Sequence, residues 1–296
     1  MKVAVVGPIC KDVNTIKGKS TELPGGVTYY SGRTFESLGV ETIVFGSCGS
    51  EDVEWASGFG FDFIHTGSNG TIKFKNIYPD IKNPDLRMQR IGTPNNITPE
   101  DIRLNSLTGL DYFIYGPLSY DNIFASAIKE FSGALRNTRT QTVLLPQGMI
   151  RYTEGGGIVK RNPENVLRAI PYLDYIFLDD EELKFISGED IVEYGARSLQ
   201  DMGVKNVVVT LGRDGSQLFL GSDTVYKIKA FKPRKIVDTT GAGDTFMAGY
   251  FSGKDAYIDP VEQGRFAAMA ATIGLEEKGV FKKSRKYVLD RLMKEA

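Results

Sequence analysis

Ile236-Val237-Asp238-Thr239-Thr240-Gly241-Ala242-Gly243-Asp244-Thr245-Phe246-Met247-Ala248-Gly249 runs from a polar turn straight into a helical pattern whose start is lined by the smallest residues. The first N–H groups of a helix have no partner inside it, and the aligned peptide dipoles add partial positive charge there. An anion that reaches this backbone is therefore stabilised, and Gly241, Ala242 and Gly243 leave it room to do so. Asp244 stands in the same first turn, where the helix field keeps an acid ionised and where a transferring phosphoryl group would meet an attacking hydroxyl. A bare Gly-x-Gly-Asp is more often just a small-residue helix start, but the longer string, set between turn and helix, favours anion chemistry.

Upstream of this helix, short apolar runs rich in β-branched residues alternate with amphipathic stretches: Lys2–Gly7, Thr42–Gly46, Asp111–Tyr115, Thr142–Leu145, Tyr175–Leu178 and Asn206–Leu211. Such runs suit buried strands of a parallel sheet, and their alternation with helices predicts an α/β fold, a three-layer sandwich around a mostly parallel central sheet. Thr98-Pro99-Glu100-Asp101 has the clearest helix-start pattern, with a Thr cap, Pro at the first position and acids in the first turn. Two segments, about 12–23 and 71–91, interleave polar and apolar residues, the second around Pro79 and Pro84. Each predicts strands of a small solvent-facing β lid beside the main sheet. Gly155-Gly156-Gly157 predicts the turn of an exposed hairpin. No repeat or linker composition interrupts the chain, so residues 1–296 read as one domain carrying the lid.

A chain of 296 residues with 41% hydrophobic content can bury one large core. Its 36 basic and 37 acidic residues are spread along the chain, leaving no electrostatic footprint for nucleic acid or an anionic membrane and pointing to a small-molecule partner. Cys10 and Cys48 are too few for a disulfide framework and suit a reducing, cytoplasmic setting. The apolar run Val3–Val6 is too short for a signal-peptide core or a membrane span. With His65 the single histidine, His-based triads and multi-histidine metal sites drop out, and acid–base work falls to carboxylates, Lys, Tyr or Cys.

The string Asp238–Phe246 closely resembles the C-terminal signature of the ribokinase, or PfkB, carbohydrate-kinase family. That resemblance implies a ribokinase-like fold that uses ATP with Mg²⁺ to phosphorylate a hydroxyl of a sugar or polyol. It makes Asp244 the base and the Gly241–Gly243 backbone the anion hole, with Thr240 beside the nucleotide phosphates. Gly7 followed by Asp12 resembles the family's first strand and its hydroxyl-binding acid, and Gly25-Gly26 its N-terminal double glycine, where a substrate approaches the backbone. Tyr29 and Tyr30 follow; core packing is the preferred reading, with Tyr30 kept as a candidate substrate contact. Thr210-Leu211-Gly212-Arg213-Asp214-Gly215 is similar to the family's nucleotide-binding stretch, giving Thr210, Gly212 and Gly215 as candidates, although alone it reads as a strand end and turn.

Asp179-Asp180-Glu181-Glu182 occupies the place of the family's Asn-x-x-Glu motif, with Asp179 at the Asn position. Asp179 and Glu182 share a helix face and can orient metal-bound waters, or they can simply favour a helix start. Leu145-Pro146-Gln147-Gly148-Met149-Ile150-Arg151 is similar to a stretch of inositol-kinase-like members that commonly carries Asp at the position of Leu145, and Arg151 is a candidate for a phosphate or sugar oxygen. A homodimer through the lid remains an option. A nucleoside kinase of the same fold is the alternative acceptor class, and a non-catalytic sugar or nucleotide sensor would be favoured had Asp244 been lost. A nicotinamide-dependent dehydrogenase is disfavoured because Gly7 lacks the later glycines of G-x-G-x-x-G, and no P-loop string occurs.

Overall fold

The apolar runs become the strands of one sheet because each is apolar throughout and can be covered on both faces. In chain order the N-terminal half contains β1 (Lys2–Pro8), β2 (Cys10–Ile16), β3 (Lys19–Gly25), α1 (Val27–Ser37), β4 (Glu41–Ser47), α2 (Val53–Ser57), β5 (Asp62–His65), β6 (Lys73–Tyr78), β7 (Arg87–Ile91), β8 (Tyr112–Tyr115) and α3 (Ala125–Leu135). There follow β9 (Gln141–Leu144), β10 (Arg151–Glu154), β11 (Gly157–Lys160), α4 (Glu164–Ala169), β12 (Tyr175–Asp179), α5 (Asp180–Ser187), α6 (Val192–Asp201) and β13 (Asn206–Thr210). The chain closes with β14 (Ser216–Leu220), β15 (Thr224–Ile228), α7 (Ala242–Gly253), α8 (Pro260–Leu275) and α9 (Arg285–Met293). The computed structural model describes residues 1–16, 19–78, 87–91, 96–102, 108–154, 157–221 and 224–295.

The central sheet has nine strands in the order β15-β14-β13-β12-β9-β8-β1-β4-β5. All pairs from β13 to β5 are parallel, and β14 and β15 add an antiparallel edge. Successive side chains point to opposite faces. Ala4, Val6, Phe113, Tyr115, Ile176 and Val207 accordingly join a core with α3–α6, whereas Val3, Val5, Tyr112, Ile114, Phe177 and Val208 join one with α1, α7 and α8. Full burial of one such aromatic contributes about 1.5–3 kcal/mol. The expected three-layer arrangement is therefore the observed one. α9 packs outside it through Val288 and Leu292 against Phe266 and Met269 of α8.

Two departures have local causes. Thr98 and Asp101 form the reciprocal capping box that the pattern demands, yet the helix is one 3₁₀ turn, Pro99–Asp101, because Ile102 turns extended at φ −126°, ψ 118°. The two segments read as lid strands do form a separate sheet, ordered β3-β2-β6-β7, but β2 and β3 run further inward, pairing Cys10 with Gly25. Asp12 and Gly25 thus stand on that small sheet itself. Pro79 and Pro84 lie outside the described residues, as do Gly155 and Gly156, while Gly157 pairs with Glu154 in the expected hairpin.

Candidate active site

A cavity of about 210 Å³ opens at the carboxyl ends of the parallel strands, where ligands of open α/β sheets bind. The ends of β12 and β13 supply Leu178, Asp179 and Thr210 to its walls. The start of α7 supplies Gly241, Ala242, Gly243 and Asp244, and Gln147, Thr239 and Glu182 complete the polar lining.

Gly241 caps α7 in the left-handed conformation, φ 74°, ψ 12°, and a Cβ there would lie 2.3 Å from the Tyr30 ring. Only glycine satisfies both demands. Gly243 differs: a Cβ on it would meet nothing within 4 Å, so its bareness leaves space for something outside the chain. Asp244 is 7% exposed, and among the described residues none donates a hydrogen bond to its carboxylate. Burial pushes its pKa up to about 7, with the positive charge of Arg151 working the other way.

Asp12, on β2, lies outside the cavity lining but shares the charge of Arg151 with Asp244. Gly25 makes its seat, since a Cβ at Gly25 would fall 2.2 Å from the Asp12 carboxylate. Burial raises the Asp12 pKa to about 6, opposed by the Cys10 thiol, which donates to it at 3.5 Å, and by Arg151. Gly26 caps α1 with φ 102° and presses on the Pro8 carbonyl, so its bareness serves the turn. Tyr30 is packed, as preferred from sequence, with its ring against Gly241. Its hydroxyl is held neutral by burial, then by the charges of Asp12, Asp238 and Asp244.

Asp179 and Glu182 form a reciprocal capping box on α5. The Asp179 carboxylate accepts from the Glu182 N–H at 2.7 Å, and Glu182 accepts from the Asp179 N–H at 3.2 Å. Burial and the neighbouring Asp179 charge raise the Glu182 pKa to about 7, against the pull of Arg151. The helix-start reading of this acid cluster is thus realised, and both carboxylates still line the cavity.

The remaining candidates divide. Arg151, half-buried at the root of β10, exerts its charge on Asp12, Asp244 and Glu182, which stand on three different elements. Thr210 lines the cavity, while Gly212, Gly215 and Thr240 do not. Gly215 is instead fixed by chain crossing, with φ 97° and a Cβ position 2.0 Å from the Ile228 carbonyl. Thr240 donates its N–H to Asp238, whose other oxygen accepts from Gly279 N–H, a strut holding the loop before α7. Sequence reasoning passed over Thr239 and Gln147, although each sits inside a stretch already singled out. It also missed Gly148, where a Cβ would strike Pro117 at 2.2 Å, because a steric demand between distant segments leaves no local mark.

The resemblance carried by Asp238–Phe246 is borne out: residues 157–285 match the model of the pfkB family carbohydrate kinases. A nucleoside kinase of Methanothermobacter thermautotrophicus is 33% identical over 131 residues, 44% of this chain and 41% of that protein. The chain spans less than half the length of the curated relatives it matches at this level of identity. Solved structures that share the fold over nearly the whole chain include two kinases. One is a pyrophosphate-dependent kinase in the ribokinase family complexed with a pyrophosphate analog and myo-inositol (TM-score 0.82, 22% identity, 98% of this chain and 99% of that one). The other is Arabidopsis thaliana ribokinase complexed with ribose and ATP (TM-score 0.76, 21% identity, 98% of each chain).

Proposed function

We propose that this protein transfers a terminal phosphoryl group, from ATP, to a hydroxyl of a small sugar or polyol, with a nucleoside as the alternative acceptor. The observation that carries this reading is Asp244: a buried carboxylate without a donor among the described residues, one residue from an open glycine at a helix start. In this scheme Asp12 holds a substrate hydroxyl beside Tyr30 and the Gly25-Gly26 turn, and Arg151 holds a phosphate or sugar oxygen. Asp244 takes the hydroxyl proton as the oxygen attacks phosphorus, and the Gly241–Gly243 amides stabilise charge on the phosphoryl oxygens. Thr210, with Gly212, Gly215 and Thr240 behind it, borders the donor side. The β3-β2-β6-β7 sheet serves as the lid, since Asp12 on β2 would move with it and exclude water.

A magnesium ion fits the donor set. Asp179, exposed, and Glu182, buried, each spend one oxygen on the capping box and keep the other, and the repulsion that helps raise the Glu182 pKa is relieved by a cation. Mg²⁺ takes one or two carboxylates and keeps several waters. When bound there it would offset charge on the donor phosphates.

The test is a phosphorylation screen over sugars, polyols and nucleosides with ATP and with inorganic pyrophosphate, because a pyrophosphate-dependent kinase shares this fold. The expected result is transfer to one acceptor class. Binding of sugars or nucleotides with no transfer from either donor would instead make the protein a sensor.

A further inference from the structure

The hairpin β10–β11 begins at Arg151, which lies outside the cavity lining and acts through its charge on Asp244 and Glu182 of the cavity wall and on Asp12. Its root is docked on the turn that follows β8. Gly148 lies flat against Pro117 and Leu118, where a Cβ would come within 2.2 Å of the Pro117 backbone, and the Tyr120 N–H donates to the Arg151 carbonyl at 3.1 Å. That turn is itself stiff, because the Asn122 side chain accepts from the N–H groups of Leu118 and Ser119, both at 2.8 Å. One residue beyond Arg151, Tyr152 lays its ring on that of Tyr120, with centroids 4.1 Å apart and planes inclined by 8°. The two rings are partly exposed and stand 32 residues apart in sequence, so the stack is a tie between elements and no part of a core. On the far strand, Lys160 pairs in register with Arg151 and reaches Glu181 at 3.1 Å, next to Glu182 of the cavity wall.

We propose that Tyr152 is a positioning residue for the reaction: stacked on Tyr120, it holds the root of the hairpin so that Arg151 faces the carboxylates and the phosphate-binding end of the cavity. The proposal rests on the kinase reading. An arginine on a two-stranded ribbon has long reach and high rotamer entropy, so its backbone must be fixed if its charge is to serve three carboxylates on three elements. The backbone bond from Tyr120 sets the direction, and the stack keeps the hairpin from rocking about it. Aromatic pairs prefer such offset, near-parallel or edge contacts, and the surface position argues that this pair is kept for geometry.

The test is binding of inorganic pyrophosphate, followed calorimetrically, together with the donor KM and kcat, in Arg151→Gln, Tyr152→Ala, Tyr152→Phe and the double variant R151Q/Y152A. Arg151→Gln should weaken pyrophosphate binding by tenfold or more. Tyr152→Ala should weaken it roughly three- to tenfold, with a raised donor KM, and Tyr152→Phe, which keeps the ring, should restore it. The double variant should bind no worse than Arg151→Gln alone, since Tyr152 acts through Arg151. Tyr120→Ala removes the stack from its other side and should reproduce Tyr152→Ala, which covers the case of one variant failing to fold. Wild-type binding in Tyr152→Ala, no rescue by phenylalanine, or losses that add in the double variant would each overturn the positioning role. Wild-type protein that binds neither pyrophosphate nor ATP would overturn the kinase reading and this proposal together.

Discussion

Helix α7 has a buried acid in its first turn and a half-buried lysine just past its last residue, and the two are treated in opposite ways. At its start Asp244 receives no hydrogen bond among the described residues and faces a cavity. At its end Lys254 donates to the Tyr175 hydroxyl at 2.9 Å, with its ammonium 4.8–5.5 Å from the ring centroids of Tyr112, Tyr175, Tyr250 and Phe251. Burial moves the two in the directions expected for an acid and a base, Asp244 up to about 7 against the pull of Arg151 and Lys254 down to about 8. A buried charge costs free energy unless it is paired, and ring faces with a hydroxyl dipole go some way to pairing Lys254. Among the described residues, none donates a hydrogen bond to Asp244, and its partial compensation is the charge of Arg151. Burial therefore does not by itself mark function; a buried acid to which no described residue donates and which opens on a cavity is the better candidate.

The largest effect expected is on turnover. Asp244→Asn should lower kcat by on the order of 10²–10⁴, the usual span for a positioned base, while donor binding persists. The same substitution should stabilise the fold at neutral and higher pH. Protonated Asp244 favours the native state, an advantage complete below the free-carboxylate value and lost as pH rises through about 7, whereas Asn never carries the charge. Thermal melts should thus separate the two proteins at pH 8, by up to about 4 kcal/mol, and converge below about pH 4. Wild-type kcat/KM should for its part rise with pH through an acid limb near 7. An Asn variant with near wild-type turnover would return Asp244 to a merely tolerated acid.

Within the first turn, Gly241 and Gly243 sharpen the contrast. Gly241→Ala meets both the positive φ and the Tyr30 ring and should lower stability by about 1–3 kcal/mol. Gly243→Ala meets no protein atom within 4 Å, so it should fold as well as wild type and yet weaken phosphate binding and turnover, since its methyl stands where an anion approaches the amides. Equal melting temperatures with unequal kinetics for Gly243→Ala would support the anion hole. Unchanged kinetics would remove it.

The sequence could announce the strands and the α7 start because both depend on local patterns. Apolar runs such as Lys2–Gly7 specify buried strands by themselves, and the string Asp238–Phe246 holds glycine, acid and helix start within one turn. What stayed hidden depends on distant partners. Gly215 reads like a ligand-facing glycine, but it is the Ile228 carbonyl that excludes a side chain there. The capping pattern at Thr98 was correctly read, and only the extended backbone at Ile102 shows that the turn goes no further. Lys254 gave no signal, since its four rings come from β8, β12 and α7 and meet only in the folded sheet.

Lys254→Met gives the smallest effect and tests the other half of the comparison. Met is unbranched, polarisable and close in length, so it can fill the ring-lined box without the charge. Turnover should stay within about twofold of wild type, because Lys254 lies at the far end of α7 from the cavity. Stability should differ in its pH slope. In the unfolded chain the amine stays protonated to about pH 10.4, but in the fold it does so only below about 8, so wild type gains stability as pH rises from about 8. Between pH 8 and 9.5, before free tyrosines ionise, the gain is at most about 2 kcal/mol, each pH unit being worth about 1.4. Lys254→Met should lack that rise. A variant with the wild-type slope would mean that the rings and the Tyr175 hydroxyl already offset the burial of the ammonium, making Lys254 fully compensated and its contrast with Asp244 sharper still.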